Sequence, residues 1–258
     1  MQPLNLALLQ SATHWHDPAA NRDMFEGLLE QVSAAADVVV LPEMFATGFT
    51  MASAEVAETM DGPTLAWLRA QTRRFDKVLC GSMVVADAGQ YFNRFVWVTP
   101  DGEVAHYDKR HCFRMAGEHE HYAPGQARPI LEYQGWRICP AVCYDLRFPV
   151  WLRNSNDYDL LLLVANWPAV RRNAWTTLLK ARAIENLAYV AAVNILGEDG
   201  NAVRYDGGSG AYAPDGGTLV ENVGDAVILE VSLSATQLQE HRANFPAWMD
   251  ADAFQINL

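Results

Sequence analysis

Short apolar runs of β character alternate with helical stretches along almost the whole of this 258-residue chain, and this order constrains the fold more than any other feature. Several runs are apolar at every position, which is typical of strands covered on both faces. Alternating strands and helices favour layered α/β packing, with sheets inside and helices outside. The predicted strands are 4–9, 37–41, 77–85, 91–98, 137–142, 160–165, 189–195 and 227–231, and the predicted helices are 18–35, 64–75, 172–186 and 235–244.

Capping and turn signals agree with these boundaries. Asp17 followed by Pro18 predicts a helix start, and Ser234 with Gln237 three residues later resembles a capping box. Proline, aspartate and glycine in succession predict tight turns at 100–102 and 214–216. No repeat, low-complexity stretch or Ser/Gly-rich linker interrupts the sequence. We therefore expect residues 1–258 to form a single domain.

The C-terminal tail, from about residue 246, is apolar for a free chain end. It contains Trp248, Phe254, Ile256 and Leu258. Because exposing such side chains to water is unfavourable, we expect the tail to dock on the body of the domain or on a second subunit. A homodimer or a higher homo-oligomer is expected on the same ground.

The charge and composition restrict the partners of the chain. Its net charge is −12 and its pI is near 4.9, whereas nucleic-acid binding needs clustered Lys and Arg, so we expect no nucleic-acid partner. No apolar run approaches the roughly 20 residues that cross a bilayer, and no basic region precedes the first run. We expect no membrane association, no signal peptide and a cytoplasmic location. The four cysteines are expected to be reduced, with Cys80 and Cys139 in the core.

Cys143 lies where an apolar run changes abruptly to a polar segment with helix-start character. The run 136–142 leads into it, and Tyr144 and Asp145 follow directly. A nucleophile at such a turn is exposed above the sheet edge, where backbone N–H groups can stabilise a thiolate and an oxyanion. The pattern makes Cys143 a candidate nucleophile, with a buried structural thiol as the alternative.

Two further polar residues follow predicted strands in the same way. Glu43 comes after the run 38–41 and Pro42, and Lys109 comes after 104–108. Either residue alone is typical of a solvated loop. Because strand ends meet at one edge of an α/β sheet, Glu43, Lys109 and Cys143 together form a plausible constellation.

Three segments around these residues resemble, in order, the signature segments of the nitrilase (carbon–nitrogen hydrolase) superfamily. They are Leu-Pro-Glu-Met-Phe at 41–45, Tyr-Asp-Lys-Arg-His at 107–111 and Val-Cys-Tyr-Asp-Leu-Arg-Phe-Pro at 142–149. Segments at 182–190 and 207–216 resemble the helix after the nucleophile strand and a later strand pair of that family. The resemblance runs from about residue 6 to residue 233 and is closest to the ω-amidase branch.

This resemblance implies a four-layer α-β-β-α sandwich and a triad of Glu43, Lys109 and Cys143. In that scheme Glu43 takes the thiol proton, and Lys109 lowers the cost of the thiolate. Lys109 and the N–H of Tyr144 stabilise the oxyanion, and water then hydrolyses a thioester on Cys143. No organic cofactor is implied, since the chain has neither a phosphate loop nor a dinucleotide fingerprint.

The family also places a second glutamate between the lysine and cysteine segments. The spacing to Pro124-Gly125 favours Glu118, while Glu120 remains open and an exposed acidic loop is the alternative for either. The same stretch has a competing interpretation as a zinc site, but the spacing of its ligand types matches no common motif, so we expect no metal. Those ligand types are His111, Cys112, His119 and His121.

The remaining candidates concern the substrate pocket. Asn166 and Trp167 follow the run 160–165 and are expected at the same sheet edge as Cys143, although Trp167 could equally fill the core. The ω-amidase resemblance implies a 2-oxo acid amide as the substrate. Such a molecule carries a carboxylate at its far end, which an arginine can bind with two hydrogen bonds. Arg147 could instead brace Asp145 or another carboxylate. The predicted pocket residues are Phe49, Tyr144, Asn166, Trp167 and Arg147, and the candidate arginines are Arg114, Arg147, Arg171 and Arg172.

Three functions are compatible with these features. The first is an ω-amidase, which releases ammonia from the terminal amide of 2-oxoglutaramate or 2-oxosuccinamate. The second is another superfamily amidase, a nitrilase or an N-carbamoyl amine hydrolase. The third is a non-catalytic nitrilase-like binding module, against which the intact Glu43, Lys109 and Cys143 argue. We expect the first, a hydrolase of a small-molecule amide acting on carbon–nitrogen bonds other than peptide bonds.

Overall fold

Two packed sheets form the centre of the computed structural model, which describes residues 1–256. The strands are β1 Leu4–Gln10, β2 Val38–Val40, β3 Val78–Asp87, β4 Gln90–Val98, β5 Val104–Asp108, β6 Leu131–Tyr133, β7 Trp136–Val142, β8 Leu160–Val164, β9 Tyr189–Val193, β10 Leu196–Glu198, β11 Arg204–Tyr212, β12 Thr218–Val223 and β13 Val227–Leu233. The helices are α1 Pro18–Leu29, α2 Ser53–Val56, α3 Pro63–Phe75, α4 Glu118–His121, α5 Arg172–Asn186 and α6 Ala235–Asn244. Short 3₁₀ turns lie at Arg114–Ala116, Cys143–Arg147, Ala169–Arg171 and Ala247–Asp250.

Each sheet has a parallel centre and antiparallel flanks. The first is six-stranded, in the order β13-β1-β2-β3-β4-β5, with β1, β2 and β3 parallel. The second is seven-stranded, in the order β10-β11-β9-β8-β7-β6, with β12 paired to β11 and with β7, β8 and β9 parallel. The carboxyl ends of β2 and β7, where Glu43 and Cys143 follow, are therefore ends of central parallel strands.

The side chains of β1 show how the layers are built. Leu6 and Leu8 join the core that the two sheets share, whereas Ala7 and Leu9 pack with residues of α1 and α3. On the second sheet, Trp175 of α5 belongs to the core that covers its strands. Helices therefore lie outside both sheets, and the predicted four-layer α-β-β-α sandwich is confirmed.

Several predicted boundaries hold and one helix is shorter than predicted. Asp17 caps α1 by accepting a hydrogen bond from the Ala20 N–H at 3.0 Å, and Ser234 caps α6 through the Gln237 N–H at 3.2 Å. However, α1 ends at Leu29 rather than at residue 35. Beyond it, the Ser33 N–H donates to Glu230 Oε1 at 2.7 Å, whereas a continuing helix would direct it to the Leu29 carbonyl. The Ala34 and Ala36 carbonyls then accept hydrogen bonds from the Lys77 ammonium.

Four strands were not predicted from apolar alternation. They are β6, β10, β11 and β12, of which β11 and β12 correspond to the strand pair that the family resemblance indicated. In β11, Gly207 and Gly208 both have positive φ and sit beside a bulge in the pairing with β12. Such a strand carries little side-chain signal, because glycine adds nothing to the alternating pattern.

The tail remains largely exposed on this chain. Trp248 is 40% exposed, Phe254 49% and Ile256 40%, and Leu258 lies outside the described residues. Docking of the tail on a second subunit stays a prediction. Among the described helices, none is both long and apolar enough to span a membrane.

Candidate active site

The predicted triad residues converge between the two sheets. Glu43 comes three residues after β2, Lys109 directly follows β5, and Cys143 directly follows β7. Asn166 follows β8, the strand next to β7 in the second sheet. The site therefore joins the carboxyl ends of strands from both sheets, as the positions of these residues after strands predicted.

Lys109 lies between two carboxylates. Its Nζ is 2.9 Å from Glu43 Oε1 and 2.8 Å from Glu118 Oε1, and all three side chains are at most 1% exposed. Glu120, the alternative second carboxylate, is 70% exposed and points away from this group. The structure thus brings Glu118, and not Glu120, to Lys109.

The charged groups in this cluster shift one another's pKa values. Burial lowers the pKa of Lys109, but the negative charges of Glu118 and Glu43 outweigh it and hold that pKa well above its usual value. Burial raises the pKa of Glu118, Lys109 opposes the rise, and the charge of Glu43 adds to it. Lys109 is therefore a permanent cation here, and the two carboxylates compete for its charge.

Cys143 has a strained backbone and a protonated resting thiol. Its φ is +47°, a left-handed conformation that costs a non-glycine residue about 1–3 kcal/mol. The Sγ lies 3.8 Å from the Asn166 carbonyl oxygen. Burial raises the pKa of the thiol well above its usual value, the charge of Glu43 adds to this, and Lys109 opposes it. The thiolate therefore forms only when its proton passes to a base.

Asn166 fastens Glu43 from the opposite sheet. Its backbone N–H donates to Glu43 Oε2 at 2.7 Å, and its Nδ2 donates to the Glu43 carbonyl at 2.7 Å. These two bonds hold the Glu43 carboxylate beside Cys143. Asn166 was predicted only as a pocket residue, and its contact with Glu43 spans 123 positions of sequence.

Asp145 ties the turn that carries Cys143 to the segment that carries Lys109. Its Oδ2 accepts from the Val142 N–H at 3.0 Å and from the Tyr107 hydroxyl at 2.8 Å. Its Oδ1 accepts from the His111 N–H at 3.0 Å and from His111 Nδ1 at 2.8 Å. Arg147 forms none of these bonds. Within residues 1–256 it pairs with no other carboxylate either, so the alternative that it braces Asp145 or another carboxylate is not supported.

Asn93 and Ser82 were missed by sequence reasoning. Asn93, in the middle of β4, donates from Nδ2 to Glu43 Oε1 at 2.7 Å, and its Oδ1 accepts from the Ser82 hydroxyl at 2.8 Å. Both side chains are at most 2% exposed. The available signal was a polar residue at a buried position in an otherwise apolar run. We call Glu43, Lys109, Glu118, Asn93, Ser82, Asp145 and Cys143 the site floor.

A cavity of about 400 Å³ opens above the site floor. Lys109 and Cys143 line it, and so do all five predicted pocket residues. Sequence reasoning missed two parts of the lining, namely the segment before α4 and the hairpin between β10 and β11. We call the following lining residues the pocket wall: Phe49, Met51, Phe113, Met115, Ala116, Tyr144, Arg147, Asn166, Trp167, Pro168, Arg171, Asp199, Asn201, Val203 and Tyr205.

Two of the four candidate arginines belong to the pocket wall. The Arg147 guanidinium lies over the Trp167 ring at 4.9 Å, and that of Arg171 over the Phe113 ring at 5.4 Å. Within residues 1–256, neither forms an ion pair with a carboxylate. By contrast, Arg172 pairs with Asp206, and Arg114 is not part of the lining.

The residues of the competing zinc interpretation have other contacts. His111 donates from Nδ1 to Asp145 and stacks on Phe148 with ring centroids 3.7 Å apart. The Cys112 Sγ lies 3.6 Å from the Tyr122 carbonyl oxygen. In the part of the chain that the structure describes, no three His, Cys, Asp or Glu side chains are grouped as metal ligands.

The chain belongs to the carbon–nitrogen hydrolase family, because the model of that family (Carbon-nitrogen hydrolase) matches residues 5–243. The resemblance drawn from the three signature segments is confirmed. Within the family, the chain is similar to Omega-amidase YafV from Yersinia enterocolitica, with 49% identity over 99% of this chain and 100% of that protein. It is 29% identical to 2-oxoglutaramate amidase from Bacillus subtilis (strain 168), over 95% of this chain and 96% of that protein.

A solved structure agrees with the fold. XC1258 from Xanthomonas campestris, described as a CN-hydrolase superfamily protein with an arsenic adduct in its active site, superposes with a TM-score of 0.97. The identity is 48%, and the match covers 100% of both chains.

Proposed function

We propose that this chain is an ω-amidase that hydrolyses the terminal carboxamide of a 2-oxo dicarboxylic acid monoamide, such as 2-oxoglutaramate or 2-oxosuccinamate. One observation carries this proposal: two unpaired arginines, Arg147 and Arg171, share a cavity with the thiol of Cys143. A substrate with an amide at one end and a carboxylate at the other matches that arrangement. The similarity to an ω-amidase and to a 2-oxoglutaramate amidase supports it.

The reaction begins at the thiol. The Cys143 sulfur attacks the amide carbon while its proton passes to Glu43, which Asn166 holds in place. The oxygen of the tetrahedral intermediate is stabilised by Lys109 and by the N–H of Tyr144. Because the resting thiol is protonated, the thiolate charge develops only as the carbon–sulfur bond forms, beside the Lys109 ammonium.

The second half regenerates the thiol. Glu43 returns the proton to the nitrogen, the carbon–nitrogen bond breaks, and ammonia leaves a thioester on Cys143. Glu43 then takes a proton from a water molecule, whose oxygen attacks the thioester carbon, and returns that proton to the departing sulfur. Glu118 accepts a hydrogen bond from the Lys109 ammonium and holds it beside the position where the oxyanion forms. The products are the dicarboxylate and ammonia.

The pocket wall accounts for the recruitment of an anion. A chain with a net charge of −12 repels anionic substrates at long range, so a local cation is needed where the substrate carboxylate binds. Arg147 and Arg171 supply it, and the rings of Trp167 and Phe113 beneath them limit how far each guanidinium can move. Arginine is suited to binding this carboxylate because its planar guanidinium can donate two parallel hydrogen bonds to it.

A substrate panel with a nucleophile variant tests the function. Ammonia release is measured with 2-oxoglutaramate, with the corresponding nitrile, and with an N-carbamoyl amine, which would also give carbon dioxide. We expect 2-oxoglutaramate to be turned over with the highest kcat/KM. Cys143→Ala is expected to lower its turnover by at least about a thousandfold at an unchanged melting temperature.

Cys80→Ala is the matched control, since Cys80 is a buried thiol of β3 with no contact to the cavity. It should lower the melting temperature slightly and keep the activity. Preference for the nitrile or the carbamoyl amine would replace the ω-amidase assignment by another activity of the family. Full turnover by Cys143→Ala would rule out Cys143 as the nucleophile. No turnover of any panel substrate by the native chain would leave only a binding role.

We propose further that the protein is a cytoplasmic homodimer. The exposed tail supports this, since Trp248 and Phe254 are too apolar for a free surface, and the described cysteines are all unpaired thiols. Removing the residues after 245 should halve the mass measured by light scattering or lower the melting temperature. An unchanged mass together with an unchanged melting temperature would contradict a docked tail.

A further inference from the structure

The site floor holds more negative than positive charge. Two carboxylates, Glu43 and Glu118, share the single ammonium of Lys109, and all three are at most 1% exposed. An excess anion in the protein interior is strongly disfavoured unless hydrogen-bond donors replace the lost water. The second carboxylate therefore has to be stabilised by neutral donors, which the protein must supply.

Asn93 supplies such a donor at the centre of the cluster. Its Nδ2 is 2.7 Å from Glu43 Oε1 and 3.4 Å from Glu118 Oε1, so a single amide group faces both carboxylates. Its backbone carbonyl accepts from the Lys109 N–H at 2.9 Å. Asn93 thus contacts both carboxylates through its side chain and the backbone that carries Lys109 through its own backbone.

Ser82 determines which way the Asn93 amide points. The Met44 N–H donates to Ser82 Oγ at 2.8 Å, so the Ser82 hydroxyl hydrogen is directed elsewhere and donates to Asn93 Oδ1 at 2.8 Å. With Oδ1 engaged by a donor, Nδ2 must face the carboxylates. The orientation is built into the pairing of β3 and β4, in which Ser82 lies opposite Phe95 and Asn93 opposite Val84, on one face of the sheet.

We propose that Asn93, oriented by Ser82, is a positioning residue that keeps Glu43 and Glu118 both ionised around Lys109. Glu43 acts as the base only under the proposed function, on which this inference rests. With the Asn93 donor in place, Glu43 is free to take the proton of Cys143. Without it, the cluster relieves its excess charge by binding a proton from solvent, and the base is lost.

The other groups that face the cluster do not substitute for Asn93. Glu43 also accepts from the Asn166 N–H, and Glu118 from the Phe113 N–H, so these donors are already engaged. The titratable neighbours are neutral at pH 7 and contribute no charge. Burial raises the pKa of Cys112 to about 11 and raises those of Cys143, Tyr122 and Tyr205 as well.

The sign of the expected change follows from the state that the donor stabilises. A donor to an ionised carboxylate lowers its pKa, so removing the donor raises the pKa. A protonated Glu43 cannot accept the thiol proton. The acid limb of the kcat/KM profile, where activity rises with pH, should therefore move to higher pH when the donor is removed.

The experiment measures this limb in Asn93→Ala and Ser82→Ala, with 2-oxoglutaramate as the substrate. It also measures the pH dependence of Cys143 alkylation by iodoacetamide, which needs no substrate and so remains informative if the proposed function is wrong. The acid limb of the kcat/KM profile and the acid limb of the alkylation profile should both shift to higher pH in Asn93→Ala. Both should shift less, in the same direction, in Ser82→Ala. Asn154→Ala is the matched control, because Asn154 is an equally buried asparagine whose partners are Tyr158, Asn186 and Asp157.

The control should lower the melting temperature and leave both limbs in place. A uniform loss of activity in Asn93→Ala and Ser82→Ala, with both limbs unshifted, would show that Asn93 only fills space and would overturn the proposal. If Asn93→Ala does not fold, Ser82→Ala decides: a shifted alkylation limb supports the role, and an unshifted limb contradicts it.

Discussion

The site floor and the pocket wall face the same cavity, but they differ in how their charges are satisfied. On the floor, the protein itself partners each carboxylate: Glu43 has Lys109, Asn93 and Asn166, and Asp145 accepts four hydrogen bonds. On the wall, Arg147 and Arg171 have aromatic contacts and no carboxylate. The charged groups of the floor have partners without a substrate, whereas Arg147 and Arg171 of the wall have no carboxylate partner among residues 1–256.

This difference follows from the elements that build each part. Ser82 and Asn93 lie within strands, and Lys109 and Cys143 directly follow strands, so backbone pairing fixes their position. The other floor residues are Glu43, Asp145 and Glu118, and hydrogen bonds to these neighbouring segments hold them in place. The wall comes from 3₁₀ turns at Arg114–Ala116 and Ala169–Arg171 and from the hairpin after β10. Short turns are held by few backbone bonds and can adjust to a ligand. A rigid floor suits a reaction that needs fixed geometry, and an adjustable wall suits binding.

A variant that disrupts the hydrogen bonds of the site floor, without removing a reacting group, should have the largest effect on kcat. Asp145→Asn keeps the shape of the side chain but replaces one acceptor oxygen by a donor, so at least one of its four donors is left facing an NH₂ group. The turn that carries the strained Cys143 then loosens relative to Lys109. We expect kcat for 2-oxoglutaramate to fall by about tenfold to a hundredfold with an unchanged KM.

The control for this change is Asp159→Asn. Asp159 is also a buried aspartate, held by Arg137 and Arg242 far from the cavity, and its loss should lower the melting temperature without lowering kcat. If Asp145→Asn changes KM as much as kcat, or if kcat follows the melting temperature in both variants, Asp145 supports the fold and does not position Cys143.

The same contrast explains what the sequence could predict. Glu43, Lys109 and Cys143 were found because each follows an apolar run and lies in a segment that resembles a family signature. Asn93 and Ser82 lie inside runs, where alternation says only that a position is buried. Their role depends on the register between β3 and β4, which brings residues 11 positions apart into contact. The two-residue turn at Ala88 and Gly89, both with positive φ, sets that register, and apolar alternation does not reveal it.

The wall was predicted as a set of residue types but not as a geometry. The sequence did not rank the four candidate arginines as ligands of the substrate carboxylate. In the structure, the path of the 3₁₀ turns brings two of them to the cavity, and Arg172 pairs with Asp206 instead. The hairpin that contributes Asp199 and Tyr205 leads into the glycine-rich strand β11, which carries little apolar signal. Loop geometry of this kind depends on long-range packing rather than on local composition.

Changing the wall should have a smaller and different effect, confined to binding. Arg147→Met and Arg171→Met each remove one charge-assisted contact to the substrate carboxylate, so we expect KM for 2-oxoglutaramate to rise about tenfold while kcat stays unchanged. A neutral aliphatic amide of similar length should keep its KM in both variants. Raising the salt concentration should increase KM in the native chain more than in the variants, because screening weakens the attraction that the variants already lack.

Arg114→Met provides the matched control, since it removes the same charge from a turn beside the cavity without removing a lining side chain. If it raises KM as much as Arg147→Met does, general attraction of an anion to nearby positive charge explains binding, and no specific contact is needed. If KM for the carboxylate substrate is unchanged in both wall variants, the substrate carboxylate binds elsewhere. Arg147 and Arg171 would then not form the binding site of the substrate carboxylate. The proposed difference between a floor that needs no ligand and a wall that binds one would be wrong.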